Sequence, residues 1–142
     1  SNKEVFAAQL FFNYLVGAPD AHAKNYSVLL HDGTGPILSP LYDVASGLPY
    51  DHARYELRTA MSIGRENRVG MLRRSNIQRF SEAAGLDAGR MLDLLMNLAD
   101  AILFALPELD REARSVPGGT ELADRLMPEL RSLSEKTLDV ME

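Results

Sequence analysis

The stretch GAPDAHAKNYSVLL (17–30) sets an Asp, a His, a Lys and an Asn within six positions, Asp20 to Asn25, between an apolar helical pattern and an apolar strand pattern. Upstream, EVFAAQLFFNYLV (4–16) is apolar nearly all round and stops at Gly17 and Pro19, which predicts a mostly buried helix delivering the chain into a loop. Downstream, YSVLL (26–30) predicts a strand and HDGTG (31–35) a tight turn, with Gly33 and Gly35 free to take positive φ. PILSPLYDV (36–44) predicts a second strand. The hairpin so formed carries the chain away from Asn25 and returns it to Asp43.

With 142 residues and 46% hydrophobic content, the chain has the size of one domain that can bury a core without metal or disulfide support. The absence of cysteine excludes disulfide frameworks and thiolate chemistry, and permits a reducing, cytoplasmic home. The longest apolar tracts, VFAAQLFF and MLDLLMNLADAILFAL, are short or interrupted by Asp and Asn, below the ~18 residues a membrane span needs, so a soluble chain with no membrane partner is expected. Ser1-Asn2 in place of an initiator Met reads as a tag remnant, and the chain as a piece of a longer protein. The net charge of −5 hides a division: residues 44–79 hold seven Arg against three acids, and residues 80–142 hold six bases against thirteen acids. The Arg-rich middle is either a solvated surface or a face for a phosphorylated or acidic partner.

Residues 44–74 are weakly patterned, with SGLPYD (46–51) as a loop and YELRTAMSI (55–63) as an extended segment ending at Gly64. From residue 75 to the end the pattern is helical. Ser75 with Gln78 fits a capping box, Gly85 closes that helix, and Asp87 caps the next, 88–106. There Arg90, Asp93, Asn97 and Asp100 form a narrow polar stripe on an apolar cylinder, the expected central core helix, with Met91 and Met96 as core filler. PELDREARSVPGG (107–119) is expected as a loop before a last helix from Thr120, kinked or broken at Pro128.

Phosphoryl transfer from a nucleotide needs a carboxylate near the acceptor hydroxyl and oxygen ligands holding Mg²⁺ on the phosphates. An Asp followed five positions later by an Asn supplies the first and one of the second. A further carboxylate should arrive from a neighbouring strand, and Asp43 at the end of SPLYD is placed for that. Taken singly, Asp20 is an ordinary turn residue, Asn25 an ordinary strand lead-in, and His22 equally a loop histidine bound to backbone. His31 and His52 have no partners at metal-ligand spacing and read as surface residues.

DAHAKN, then a hairpin, then an Asp is similar to the catalytic loop and metal-binding Asp of the protein-kinase superfamily. The D-x-H-x-x-N order also resembles phosphoinositide kinases, but FFNYLVGAPDAHAKNYSVLL (11–30) followed by LSPLYDVASGLPY (38–50) resembles the C-terminal region of the HipA family far more. These are serine/threonine kinases that include the toxins of bacterial toxin–antitoxin pairs. The resemblance is strong over residues 6–50 and weaker beyond. It implies a mainly α fold with a small β-hairpin (α+β), the C-terminal lobe of a kinase-like protein spanning residues 1–142, with the catalytic loop and metal-Asp hairpin in 18–43 and a helical subdomain in 75–142. It implies ATP and Mg²⁺ as cofactors, Asp20 as the catalytic Asp, Asn25 and Asp43 as Mg²⁺ ligands, and His22, Lys24, Asn25 and Tyr42 at the nucleotide. Lys24 also makes sense as a cation beside the transferring phosphoryl group.

The resemblance further implies a protein Ser/Thr substrate in the cytoplasm, such as a component of the translation machinery, and a DNA-binding antitoxin partner; no nucleic-acid contact is assignable on this chain. Asp43 opens D-V-A rather than D-F-G, so no aromatic switch carries over, and Pro19 before the Asp stiffens the loop. A Gly-rich phosphate loop and a strand lysine are missing, the lysines being Lys3, Lys24 and Lys136, so this piece alone is expected to be inactive. Two other readings share the motif: a non-catalytic kinase-like interaction module, and a small-molecule or lipid kinase.

Overall fold

The computed structural model describes residues 1–19, 28–31, 33, 35–38, 46–49 and 56–142. Among these residues four helices and two β-hairpins follow in the order α1 (Asn2–Leu15), β1 (Val28–His31), β2 (Gly35–Leu38), β3 (Arg58–Ile63), β4 (Glu66–Arg68), α2 (Arg74–Ala84), α3 (Ala88–Arg114) and α4 (Gly119–Met141). This is the mainly helical fold with a small β-hairpin that the sequence suggested, joined by a second hairpin that it did not.

The Ser1 hydroxyl starts α1 by accepting from the Glu4 amide at 3.3 Å. Ala7, Leu10, Phe11, Tyr14 and Leu15, spaced at three and four, form its buried stripe. α3 carries the other half of the core with Met91, Leu95, Ala99, Ile102 and Leu106. Leu130, Leu133 and Met141 of α4 complete it, while Ile77 and Ile63 enter from α2 and β3. The polar stripe of Arg90, Asp93, Asn97 and Asp100 faces solvent, as its spacing requires.

Three boundaries differ from the sequence reading. α2 begins at Arg74 rather than after a Ser75 cap, because Asn76 reaches back and accepts from the Arg73 amide at 2.9 Å. Ser75 therefore sits in the first turn. α3 runs on through Pro107 to Arg114, where residues 107–114 were expected in a loop. A proline inside a helix removes its own donor and crowds the carbonyl four residues back, and the packing of α3 along α4 holds the turns on both sides in register. α4 likewise passes through Pro128 without ending and starts one residue before Thr120. The prolines border one cleft between the two helices.

The first hairpin forms between the two expected strand segments, in the register Val28↔Leu38 to His31↔Gly35, so that His31 and Gly35, expected in the turn, are strand residues and Gly33 takes positive φ. The segment expected to be merely extended is strand β3, paired with a β4 that the polar triplet ENR did not announce. Their turn, Gly64-Arg65, rests on α2: a Cβ at Gly64 would lie 1.9 Å from the Asn76 carbonyl oxygen. Asn76 Nδ2 and Arg79 each donate to the Gly64 carbonyl at 3.0 Å. No helix among the described residues is long and apolar enough to cross a membrane.

Candidate active site

Asp20, His22, Lys24, Asn25, Tyr42 and Asp43 all lie outside the described residues, as does His52. What is described is the anchor at the two ends of the segment that carries them. At the end of α1 the Gly17 amide donates to the Tyr14 carbonyl and the Ala18 amide to the Asn13 carbonyl, which turns the chain out of the helix. The returning chain is fastened to this turn. Gly47 donates its amide to the Gly17 carbonyl at 2.7 Å, and the Ser46 hydroxyl donates to the Val16 carbonyl at 2.5 Å. The same hydroxyl accepts from the Leu48 amide at 3.1 Å. By connectivity, Asp20 is three residues beyond Gly17, and Asp43 three residues before Ser46.

The anchor is tight enough to dictate sequence. Gly17 has φ +63, and a Cβ there would stand 2.7 Å from Leu48 Cγ and 3.2 Å from Leu57 Cδ2. Both the left-handed backbone and the missing side chain are therefore needed. Sequence reasoning treated Gly17 as a helix stop and left Ser46 without a role. The signal for the latter was Ser-Gly-Leu directly after Asp43-Val-Ala, which only the pairing with Gly17 explains.

Behind the anchor, Tyr14 ties the loop-bearing helix to the later part of the chain. Its hydroxyl accepts from the Gly70 amide at 2.9 Å and the Leu72 amide at 3.2 Å. Burial pushes its pKa up, against the weaker lowering effect of those two amides. On the β3–β4 hairpin, Arg68 grips Glu66 with two donors, at 2.9 and 2.6 Å, and holds that carboxyl down to about 2. Arg58 pairs with Glu56. Much of the Arg-rich segment is thus committed internally, since Arg74 and Arg79 also donate to backbone carbonyls. Arg54 lies outside the described residues, and the guanidinium groups of Arg65 and Arg73 have no partner among them.

Among the described residues no group of three His, Cys, Asp or Glu could hold a metal. The expected pair, the Asn25 amide oxygen and the Asp43 carboxylate, consists of hard oxygen donors, and that chemistry suits Mg²⁺ rather than a soft transition metal.

Residues 1–105 match the HipA-like C-terminal domain. The chain belongs to this family. Similar proteins include two from Sinorhizobium fredii that are provisionally named kinases. Y4mE is 34% identical over 90 residues, 63% of this chain and 21% of its own length. Y4dM is 26% identical over 121 residues, 85% of this chain and 28% of its own length. The fold is similar to that of HipA in the complex of HipA, HipB and operator DNA from the toxin–antitoxin system of Shewanella oneidensis. The TM-score is 0.82 at 24% identity, covering 98% of this chain and 32% of that one. The chain thus spans less than a third of the length of each of these proteins. The family match ends inside α3, whereas the structural likeness continues along α4.

Proposed function

We propose that this HipA-like C-terminal domain carries the catalytic loop of an ATP-dependent serine/threonine protein kinase, as the C-terminal lobe over residues 1–142. The loop and metal-Asp hairpin occupy 18–43, and the helical subdomain 75–142. The observation that carries the reading is the anchor joining Gly17 to Gly47 and Val16 to Ser46. Three residues of extended chain reach at most about 11 Å. Asp20 and Asp43 are each three residues along the chain from one fixed point, which supports a base and a metal ligand acting on one phosphoryl group. Asp20 orients the acceptor hydroxyl and takes up its proton; Asn25 and Asp43 hold Mg²⁺; His22, Lys24 and Tyr42 line the nucleotide. Bound Mg²⁺-ATP would supply the γ-phosphoryl group and the neutralising charge.

The remaining nucleotide contacts belong to a lobe outside this chain, so the domain by itself transfers little phosphate. The relatives' names support kinase chemistry. The HipA neighbour, solved with HipB and operator DNA, supports a DNA-binding antitoxin as partner. The substrate in this reading is a cytoplasmic protein, such as one of the translation machinery. In the full-length protein, Asp20→Asn should lower phosphoryl transfer to protein by ~10²–10⁴, measured with radiolabelled ATP, and a loss under tenfold would remove Asp20 from catalysis. Asp43→Ala should abolish Mg²⁺-dependent ATP binding in titration calorimetry.

A further inference from the structure

Two cavities adjoin where residues 69–75 face α4, and both are bordered by Gly70, Met71 and Lys136. The first, about 460 Å³, opens at the start of α2, where Arg73, Arg74 and Ser75 stand with Lys136 and Val140. The second, about 330 Å³, lies toward the loop anchor, with Leu48, Leu57, Val69 and Leu133 in its walls. Joined, they form a groove with an apolar middle and a cationic end. Met71, between the two, is 39% exposed.

The cations at that end are out of keeping with their surroundings. On α3 and α4 the side chains of Arg90, Arg111, Arg114, Arg125 and Arg131 each meet a carboxylate. Lys136 meets none among the described residues, in a chain of net charge −5. Arg73 opposite it is equally without a partner, and Arg74 gives one donor to the Met141 carbonyl at 2.6 Å. The first turn of α2 adds its positive end to the same place. The amides of residues 69–72 are already bonded to Leu57, Arg68 and Tyr14, so the groove offers side chains and not a strand edge. Glu56 and Glu129 border the second cavity and repel any anion there, so a phosphate backbone running through both cavities does not fit, and a ligand's charges belong at the first cavity with only apolar groups in the second.

We propose that this groove binds a short acidic peptide segment of a partner protein, with its carboxylates at Arg73, Arg74 and Lys136 and an apolar side chain against Met71 and Leu133. A free anion would use only the cationic end. An acidic segment interleaved with leucine satisfies both ends, by charge complementarity and by apolar burial. The proposal does not depend on phosphoryl transfer.

The test is fluorescence anisotropy of the full-length protein with a labelled peptide, Leu-Asp-Glu-Leu-Asp-Glu. Saturable binding is expected, weakened about tenfold by Arg73→Ala and by Lys136→Ala and unchanged by Arg125→Ala, which removes an equal charge elsewhere on α4. All three side chains are exposed, so folding is preserved. A peptide with Ser in place of Leu should bind at least fivefold more weakly. The proposal is overturned by absence of binding, by equal loss in Arg125→Ala, by undiminished binding of the Ser peptide, or by displacement with inorganic phosphate or duplex DNA.

Discussion

Glu66 and Arg65 show how single residues set local stability around the second hairpin. The Glu66 carboxyl is held at about 2, below its ordinary 4.5, chiefly by its hydrogen bonds with Arg68. A carboxyl lowered on folding contributes stability above its unfolded pKa, and that contribution fades as pH falls from about 4.5 towards 2. In Glu66→Gln this pairing is absent at all pH. Thermal melts should therefore show the variant less stable than wild type at pH 6, with the difference closing near pH 2. Arg65 is the single non-glycine residue at positive φ among the described residues, at 72°, beside Gly64 at 53°. Two successive positive φ values make the tight hairpin turn that favours Asn or Gly. Arg65 is exposed and pays a left-handed penalty of ~1 kcal/mol. Arg65→Asn should raise stability by up to about 1 kcal/mol, read as a shift of the urea midpoint with unchanged m-value.

At the scale of elements, apolar period and caps were legible and tertiary override was not. Helix α1, the Gly85 stop, the Asp87 cap and the polar stripe of α3 each follow from local spacing, because the same residues that satisfy the backbone also point to the core. The end of α3 does not. Pro107 reads locally as a break, yet Leu106 on one side is buried against α4 and Arg114 on the other joins Asp110 to Asp124 across the helix pair. The contacts to α4 are tertiary and outweigh the missing donor and the crowding of the proline ring. β4 was hidden for a similar reason: ENR has little strand propensity, and its pairing depends on a turn fixed by α2. The candidate site was legible as a motif, D-x4-N followed by a hairpin and an Asp, but the motif lies outside the described residues and its anchor emerged only from pairing distant segments. If packing alone carries α3 through Pro107, restoring the donor should add to it. Pro107→Ala, at an exposed position, should stabilise the domain by about 1–3 kcal/mol, and circular dichroism should show no less helix.

The whole molecule depends on joining the loop-bearing N-terminal helix to the α2–α3–α4 bundle, and Tyr14 is where that joint is polar. Its ring is buried in the shared core, and its hydroxyl serves two amides, Gly70 and Leu72, more than fifty residues away in sequence. Those amides sit at the link between β4 and α2, so one oxygen fixes both the exit of the second hairpin and the approach of α1. Gly17 and its anchor to Gly47 follow Tyr14 within one turn, so the point from which residues 18–46 depart is fixed by the same joint. Tyr14→Phe keeps the ring and strands two donors, one of them on a fully buried residue. A stranded buried donor costs about 1–3 kcal/mol. The variant should melt in a single transition at lower temperature, because α1, α2 and α3 share one core. Hydrogen exchange should show Gly70 and Leu72 losing protection beyond the global change. Two separated transitions, with the α3–α4 pair melting as in wild type, would mean that the N-terminal helix is a separate unit and that the loop takes its position from elsewhere.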